Sequence, residues 1–207
     1  MKITSHSCGS HKVFVFVRFI ESPNTSKCER ERKADIYIKG VGVMADGKLR
    51  NMASIYIEKA DKMLLLYRQG GSVVNDVWVG SAGGHFEEHE LNNARACVLR
   101  EMKEEIGITE KELENIRLRY VTLRRAKGEI RQNYYFFAKL KDGVDEEFIS
   151  NEGVIKWIPF EKVTALPMPF TSEFVLKHYF DVGNRTEMLY GGIADGSKVV
   201  FTELPEF

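Results

Sequence analysis

The sequence has few of the features that mark a disulfide-stabilised, membrane-spanning or nucleic-acid-binding protein. Its three cysteines, Cys8, Cys28 and Cys97, are odd in number and form no CxxC pair, which argues against a disulfide framework and a structural zinc site. Thirty Lys and Arg balance thirty Asp and Glu, so the chain has no net charge that favours a polyanion. The apolar run 13–17 is far too short for a membrane span. We therefore expect a cytoplasmic protein that binds no membrane and no nucleic-acid polymer.

The chain length is that of one domain with additional segments, because 207 residues with 43% hydrophobic content suffice for a single core. Residues 1–43 differ in pattern and are predicted as an N-terminal extension. Two strand-like runs in it, at 12–20 and from 36, leave two alternatives, a β-hairpin or a disordered or non-native segment that precedes a start at Met44. We assign 44–180 to the main domain and 181–207 to a C-terminal hairpin packed on it.

The main domain shows an alternation of strand and helix patterns. A helix is predicted at 94–106, with Asn92 or Asn93 as its N-cap and Gly107 at its end. A second helix is predicted at 172–180, and a glycine-rich turn at 80–84. Strands are predicted at 54–58, 63–67, 77–79, 116–125, 130–140 and 154–158, and a final hairpin at 188–204 turns at Asp195-Gly196. These elements predict an α/β or α+β layered domain.

The first predicted helix carries a cluster of acids that a protein core cannot neutralise. Glu101, Glu104 and Glu105 share one helical face, away from an apolar stripe formed by Leu99, Met102 and Ile106. A hard divalent cation such as Mg²⁺ would relieve their repulsion, because it prefers oxygen ligands. A solvated acidic face, paired with neighbouring cations, is the alternative, and the helix taken alone favours it.

The surrounding residues strengthen the metal interpretation through a family resemblance. Gly84-x5-Glu90, followed by Arg100-Glu101-Met102-x-Glu104-Glu105-x-Gly107-Ile108, resembles the Nudix box, GX5EX7REUXEEXGU with U an apolar residue. Nine residues separate Glu90 from Arg100 here, two more than in the family pattern. The resemblance implies an α/β/α sandwich with a mixed sheet between helices, and a hydrolase that uses Mg²⁺ or Mn²⁺.

The resemblance also implies roles for individual residues. The Gly83 carbonyl and the carboxylates of Glu101, Glu104 and Glu105 would bind metal, Glu101 or Glu104 would act as general base, and Arg100 would pair with Glu90 or a neighbour. Glu152, five residues before Trp157, matches a further ligand position, with a plain loop glutamate as the alternative.

Substrate contacts are predicted at Arg68, Gly84 and Phe170. Arg68 either reaches a phosphate or is an exposed strand-end residue. Phe170 either stacks on a base or anchors the last helix in the core. For the basic set Arg117, Arg119, Arg124, Arg125, Lys127 and Arg131, a solvated hairpin is favoured over polyphosphate binding.

Within the Nudix family, the chain resembles the MutT-like branch in size and in its Trp157-Ile-Pro stretch. This resemblance implies cleavage of a nucleoside triphosphate to a monophosphate and pyrophosphate. An oxidised purine nucleotide such as 8-oxo-dGTP is one candidate substrate. Two alternatives stay open, hydrolysis of a nucleoside diphosphate-linked compound, such as a sugar nucleotide or dinucleoside polyphosphate, and a sensor that binds a nucleotide without cleaving it. We expect a small-molecule nucleotide as the partner, and the oligomeric state stays open between a monomer and a homodimer.

Overall fold

The computed structural model describes residues 5–8, 11–17, 36–38, 47–69 and 75–206. The chain divides into two compact units, Met1–Met44 and Ala45–Phe207. In the first unit, strands β1 (Ser5–Cys8), β2 (His11–Val17) and β3 (Ile36–Ile38) form an antiparallel sheet in that order. Strands β2 and β3 cover part of the strand-like runs predicted at 12–20 and from 36 and are paired with each other, whereas residues 18–35 lie outside the described residues.

The second unit is built on one mixed sheet. Its strand order is β10-β5-β4-β9-β8-β11-β12, with β6 paired to β5 and β7 paired to β4. The strands are β4 (Leu49–Lys59), β5 (Lys62–Arg68), β6 (Val77–Val79), β7 (Ala82–His85), β8 (Leu113–Ala126), β9 (Glu129–Leu140), β10 (Gly153–Pro159), β11 (Leu189–Ala194) and β12 (Val199–Leu204). The helices are α1 (Ala94–Ile106), α2 (Phe160–Val163) and α3 (Phe170–Asp181).

Helices cover both faces of this sheet. Along β4, Ile55 and Ile57 pack with Met102 and other residues of α1, because alternate side chains of a strand point to opposite faces. Tyr56, between them, packs with Leu176 and other residues of α3 on the other face. The predicted α/β/α sandwich is confirmed.

Helix α1 has the predicted bounds because both of its ends are specified locally. The Asn93 side chain accepts a hydrogen bond from the Ala96 N–H at 3.0 Å. Gly107 ends the helix in the left-handed region with φ of 73°, and its N–H donates to the Lys103 carbonyl. These caps fix which residues of α1 reach the sheet and which face outward.

The predicted glycine-rich turn at 80–84 is partly wrong, since residues from Ala82 onward form strand β7. This strand pairs antiparallel with β4, with Gly83 opposite Ser54 and Gly84 opposite Ala53. A Cβ at Gly83 would collide with the Ala53 carbonyl. Glycine has low strand propensity, but β7 forms because its backbone pairs with β4 through hydrogen bonds that need no side chain.

Strands β11 and β12 form an antiparallel hairpin, which extends the sheet through parallel pairing of β11 with β8. The buried Arg119 side chain donates to the carbonyls of Gly183, at 2.8 Å, and Thr186, at 2.6 Å, in the segment that leads into β11. Among the described residues, no helix is both long and apolar enough to cross a membrane.

Candidate active site

The acidic face of α1 lies against strand β7. The Glu105 carboxylate accepts a hydrogen bond from the Gly83 N–H at 3.0 Å. Gly84 leaves the space that the Glu101 carboxylate occupies, because a Cβ there would collide with it. The structure therefore brings together four of the predicted site residues, Gly83, Gly84, Glu101 and Glu105. Glu104 lies at the rim, with 58% of its side chain exposed.

Arg100 holds three of the surrounding acids. Its Nε and Nη2 atoms donate to the two carboxylate oxygens of Glu90 at 2.8 and 2.9 Å. Its Nη1 atom lies 2.9 Å from Glu101 Oε1 and 3.0 Å from Glu104 Oε2. Glu90 is 1% exposed, and its hydrogen bonds with Arg100 lower the pKa of its carboxyl to about 2. The pairing of Arg100 with Glu90 is present despite the longer loop between them.

Burial and like charge raise the pKa of two acids at this face. The pKa of Glu105 is raised to about 7, chiefly by burial and further by the negative charges of Glu101 and Glu152. Burial is also the largest cause of the raised pKa of Glu101, with Arg100 opposing it. Two neighbouring carboxylates are thus poorly solvated and repel each other, which favours binding of a cation.

Glu152 lies close enough to Glu105 for its charge to raise the Glu105 pKa. Its carboxylate forms an ion pair with Nη2 of Arg68, at the end of β5. Both residues are half-buried. The loop before β10 and the end of β5 are adjacent because Gly153 and Arg68 are paired in the sheet.

A cavity of about 150 Å³ opens beside Glu105, on the sheet face that α3 covers in part. Its lining combines charged, amide and hydroxyl groups with apolar walls. The polar members include Arg68, Glu105, Arg124, Arg131, Asn133 and Ser172. Three arginines, Arg68, Arg124 and Arg131, therefore line the same cavity as the desolvated Glu105.

A comparison with known proteins identifies the family. The NUDIX domain family model matches residues 48–179, well over half of the chain. The chain belongs to the Nudix family. As a Nudix family member it is a hydrolase of phosphoric anhydrides with MutT-like relatives. No curated protein sequence matches it significantly.

Solved structures show the same Nudix fold. The MutT protein from Bacillus halodurans has a TM-score of 0.53 at 23% identity, covering 76% of this chain and 99% of its own. The MutT protein from Methanosarcina mazei Go1 has a TM-score of 0.55 at 19% identity, covering 68% of this chain and 99% of its own. A Caenorhabditis elegans Ap4A hydrolase has a TM-score of 0.52 at 22% identity, covering 66% of this chain and 99% of its own.

The donor set of this Nudix site suits a divalent cation. Glu101, Glu104, Glu105 and the Gly83 carbonyl offer hard oxygen ligands, the kind that Mg²⁺ and Mn²⁺ prefer. Among the residues that the structure describes, no three acidic, His or Cys side chains already surround one point. Arg100 and the Gly83 N–H hold the acids instead. The residues fit a metal that would share these carboxylates with Arg100.

Part of the basic hairpin differs from the sequence prediction. The predicted solvated surface is wrong for Arg119, which is buried, whereas Arg124 and Arg131 are half-buried and line the cavity. Arg124 and Arg131 are directly opposite each other across β8 and β9. Because Asn133 lies two residues after Arg131 on β9, all three side chains are on the same face of the sheet. The register of the predicted hairpin could have indicated this grouping. Asn133 had not been identified from the sequence.

Phe170 begins α3 and is half-buried. Its ring centroid lies 5.1 Å from that of Phe174, and the Arg124 guanidinium lies 5.1 Å above its ring. The residues that line the cavity include its neighbours Pro169 and Thr171 but not Phe170 itself. Its predicted stacking on a base stays a prediction, and its contacts in the structure support the position of Arg124.

Proposed function

We propose that this Nudix hydrolase cleaves a nucleoside triphosphate to a nucleoside monophosphate and pyrophosphate, with Mg²⁺ as cofactor and Mn²⁺ as a substitute. One observation carries the proposal. The desolvated Glu105 and three arginines, Arg68, Arg124 and Arg131, line the same cavity. Such a cavity suits a ligand that has several negative charges and reaches the acids through bound metal.

The metal would be held by the Gly83 carbonyl and the carboxylates of Glu101, Glu104, Glu105 and Glu152. When bound, a divalent cation offsets charge on the polyphosphate and lowers the pKa of bound water. Glu152 would exchange part of its pairing with Arg68 for this role, which frees the arginine for a phosphate oxygen.

The residues of the chain supply the remaining steps. Glu101 or Glu104 accepts the proton of the attacking water, whose oxygen forms a bond to phosphorus as a bridging P–O bond breaks. The bridging oxygen keeps the electrons of that bond and leaves as part of pyrophosphate after attack on the α-phosphorus, or as part of the monophosphate after attack on the β-phosphorus. Arg100 acts as a positioning residue, because it holds both candidate bases and is anchored by the buried Glu90.

The arginines bind and orient the substrate in this proposal. Arg68 and Arg131 lie on different strands of the cavity, and Arg124 is held over the Phe170 ring. Planar guanidinium groups make paired hydrogen bonds with phosphate oxygens, so Arg68 and Arg124 would orient the phosphate chain as well as neutralising it, and Arg131 would contact another part of the nucleotide. Gly84 contributes by leaving space beside Glu101.

The test is product analysis with the purified full chain and Mg²⁺. The substrates are nucleoside triphosphates that include 8-oxo-dGTP, together with sugar nucleotides and dinucleoside polyphosphates. We expect pyrophosphate and monophosphate from at least one triphosphate. Cleavage of only the diphosphate-linked compounds would contradict the triphosphate proposal, and tight nucleotide binding without any cleavage would instead support a sensor.

A further inference from the structure

Asn133 lines the cavity, and its side-chain amide makes few hydrogen bonds to the protein. It lies on β9, in register with Met52 of β4 on one side and Thr122 of β8 on the other. Its Oδ1 atom is buried and has no hydrogen-bond partner among the described residues. Its Nδ2 atom makes one long hydrogen bond, 3.4 Å, to the Tyr135 hydroxyl. The amide therefore has no short hydrogen bond to a described residue at either of its polar atoms.

Arg131 adds an unused donor beside this amide. It precedes Asn133 by two residues on the same strand, so both side chains are on the same face. Its Nε atom is buried without a partner among the described residues, and its Nη2 atom lies 3.9 Å from Glu129. Buried polar atoms in native proteins are nearly always hydrogen-bonded, so these two unpaired atoms, on residues that both line the cavity, favour a ligand that satisfies them.

We propose that Asn133, together with Arg131 Nε, determines base specificity and selects a base with a lactam edge, a ring N–H beside a carbonyl. The inference rests on the proposed nucleoside triphosphate activity. The ring N–H would donate to Asn133 Oδ1. The carbonyl oxygen has two lone pairs, so it accepts from both Asn133 Nδ2 and Arg131 Nε.

An amino base satisfies this arrangement less well. Adenine and cytosine present an amino group beside a ring nitrogen, and that nitrogen has a single lone pair for two donors. One donor would then stay buried and unpaired, and sites with unpaired polar groups reject the poorer ligand strongly. The cavity should therefore favour keto bases over amino bases.

The size and walls of the cavity agree with a base as the occupant. A cavity of comparable volume in another protein holds one benzene ring, and this one, at about 150 Å³, also opens to solvent. Met52, Leu66 and Val79 provide apolar wall beside the amide. Arg68 and Glu105 line the same cavity, so the phosphates would extend from the base toward the acidic face of α1.

The test compares substrates that differ only at this edge, dITP with dATP and dUTP with dCTP. For the wild type we expect kcat/KM for the keto member of each pair to exceed that of the amino member by about tenfold or more. Asn133→Leu should bring both ratios close to one. Its thermal stability should be unchanged or higher, because the variant removes an unsatisfied buried group.

Gln132→Leu is the matched control, since Gln132 lies on the same strand but on the opposite face, bonded to the Tyr134 hydroxyl. It should keep the wild-type ratios. Equal activity of the wild type on both members of each pair, or unchanged ratios in Asn133→Leu, would overturn the assignment. Absence of wild-type turnover on these four and on every other triphosphate of the panel would instead refute the proposed function itself.

Discussion

Glu105 shows how the site is built at the scale of single residues. Its carboxylate is partly buried, accepts one backbone hydrogen bond, and lies near the charges of Glu101 and Glu152. These conditions favour its protonated form in the absence of metal. A cation would reverse the preference, because it stabilises the carboxylate directly.

This arrangement predicts a pH-dependent loss of stability in the metal-free protein. The Glu105 pKa rises from 4.5 to about 7 on folding. The folded chain thus holds this proton more tightly than the unfolded chain, and the Glu105 contribution is lost as pH rises from below 4.5 through about 7. We expect Glu105→Gln to reduce the decline in unfolding free energy between pH 5 and 8 by about 1–3 kcal/mol.

Denaturant unfolding of both proteins in EDTA, at the two pH values, measures this difference. The comparison isolates Glu105, because the other titrating groups are common to the two proteins. An identical pH dependence in the wild type and Glu105→Gln would show that Glu105 is not desolvated as described.

At the scale of elements, a buried ion pair connects the loop before α1 with the helix itself. Glu90 ends the short 3-10 helix Glu88–Glu90, and its capping hydrogen bond to the Glu87 N–H is 2.9 Å long. Arg100 reaches Glu90 from α1 and also contacts the His85 carbonyl at the end of β7. The loop, the strand and the helix are thereby held in one arrangement around the acids.

Glu90→Ala should therefore lower both stability and turnover. It leaves part of the Arg100 guanidinium without its partner, for which we expect a loss of about 3 kcal/mol in unfolding free energy. Turnover should fall as well, because Arg100 would no longer hold Glu101 and Glu104 in place. Glu88→Ala, at an exposed position in the same 3-10 helix, should stay within about 0.5 kcal/mol of the wild type. Equal effects of the two variants would contradict the bracing role.

The elements differ in how far the sequence could predict them. The bounds of α1 follow from local signals, since Asn93 and Gly107 specify its ends without help from the rest of the chain. Strand β7 could not be predicted in this way, because its glycines have low strand propensity and its pairing with β4 is a tertiary interaction.

The same distinction holds within the site. The acids of α1 could be predicted as a metal site because they share one helix and their spacing, with the glycines before it, resembles the Nudix box. The cavity residues Arg124, Arg131 and Asn133 come together only through the register of β8 and β9 and the position of α3, which a single sequence does not state. The pairing of Glu152 with Arg68 depends likewise on the pairing of β10 with β5.

At the scale of the whole molecule, the proposed catalytic and binding residues all belong to the second unit. The buried core residues that the structure describes lie between Ala53 and Val199, and the family match covers 48–179. The division of the chain into an extension, a main domain and a packed hairpin stays a prediction of the sequence, and so does its cytoplasmic location.

Removal of residues 1–43 should leave the Nudix domain intact. A chain that begins at Met44 keeps the sheet, both covering helices and the cavity. We expect its melting temperature and turnover to match those of the full chain, measured side by side by calorimetry and product release. A large destabilisation would show that side chains of the extension pack in the domain.

The central claim is that the acidic face of α1 carries a metal-dependent hydrolysis of a nucleoside triphosphate. The most direct measurement is Mg²⁺-dependent pyrophosphate release by the wild type, Glu105→Gln and Lys103→Gln, the last at an exposed position on the same helix. We predict release by the wild type that EDTA abolishes, a loss of roughly 100-fold or more in Glu105→Gln, and near wild-type release in Lys103→Gln. Retention of most activity by Glu105→Gln would contradict the account.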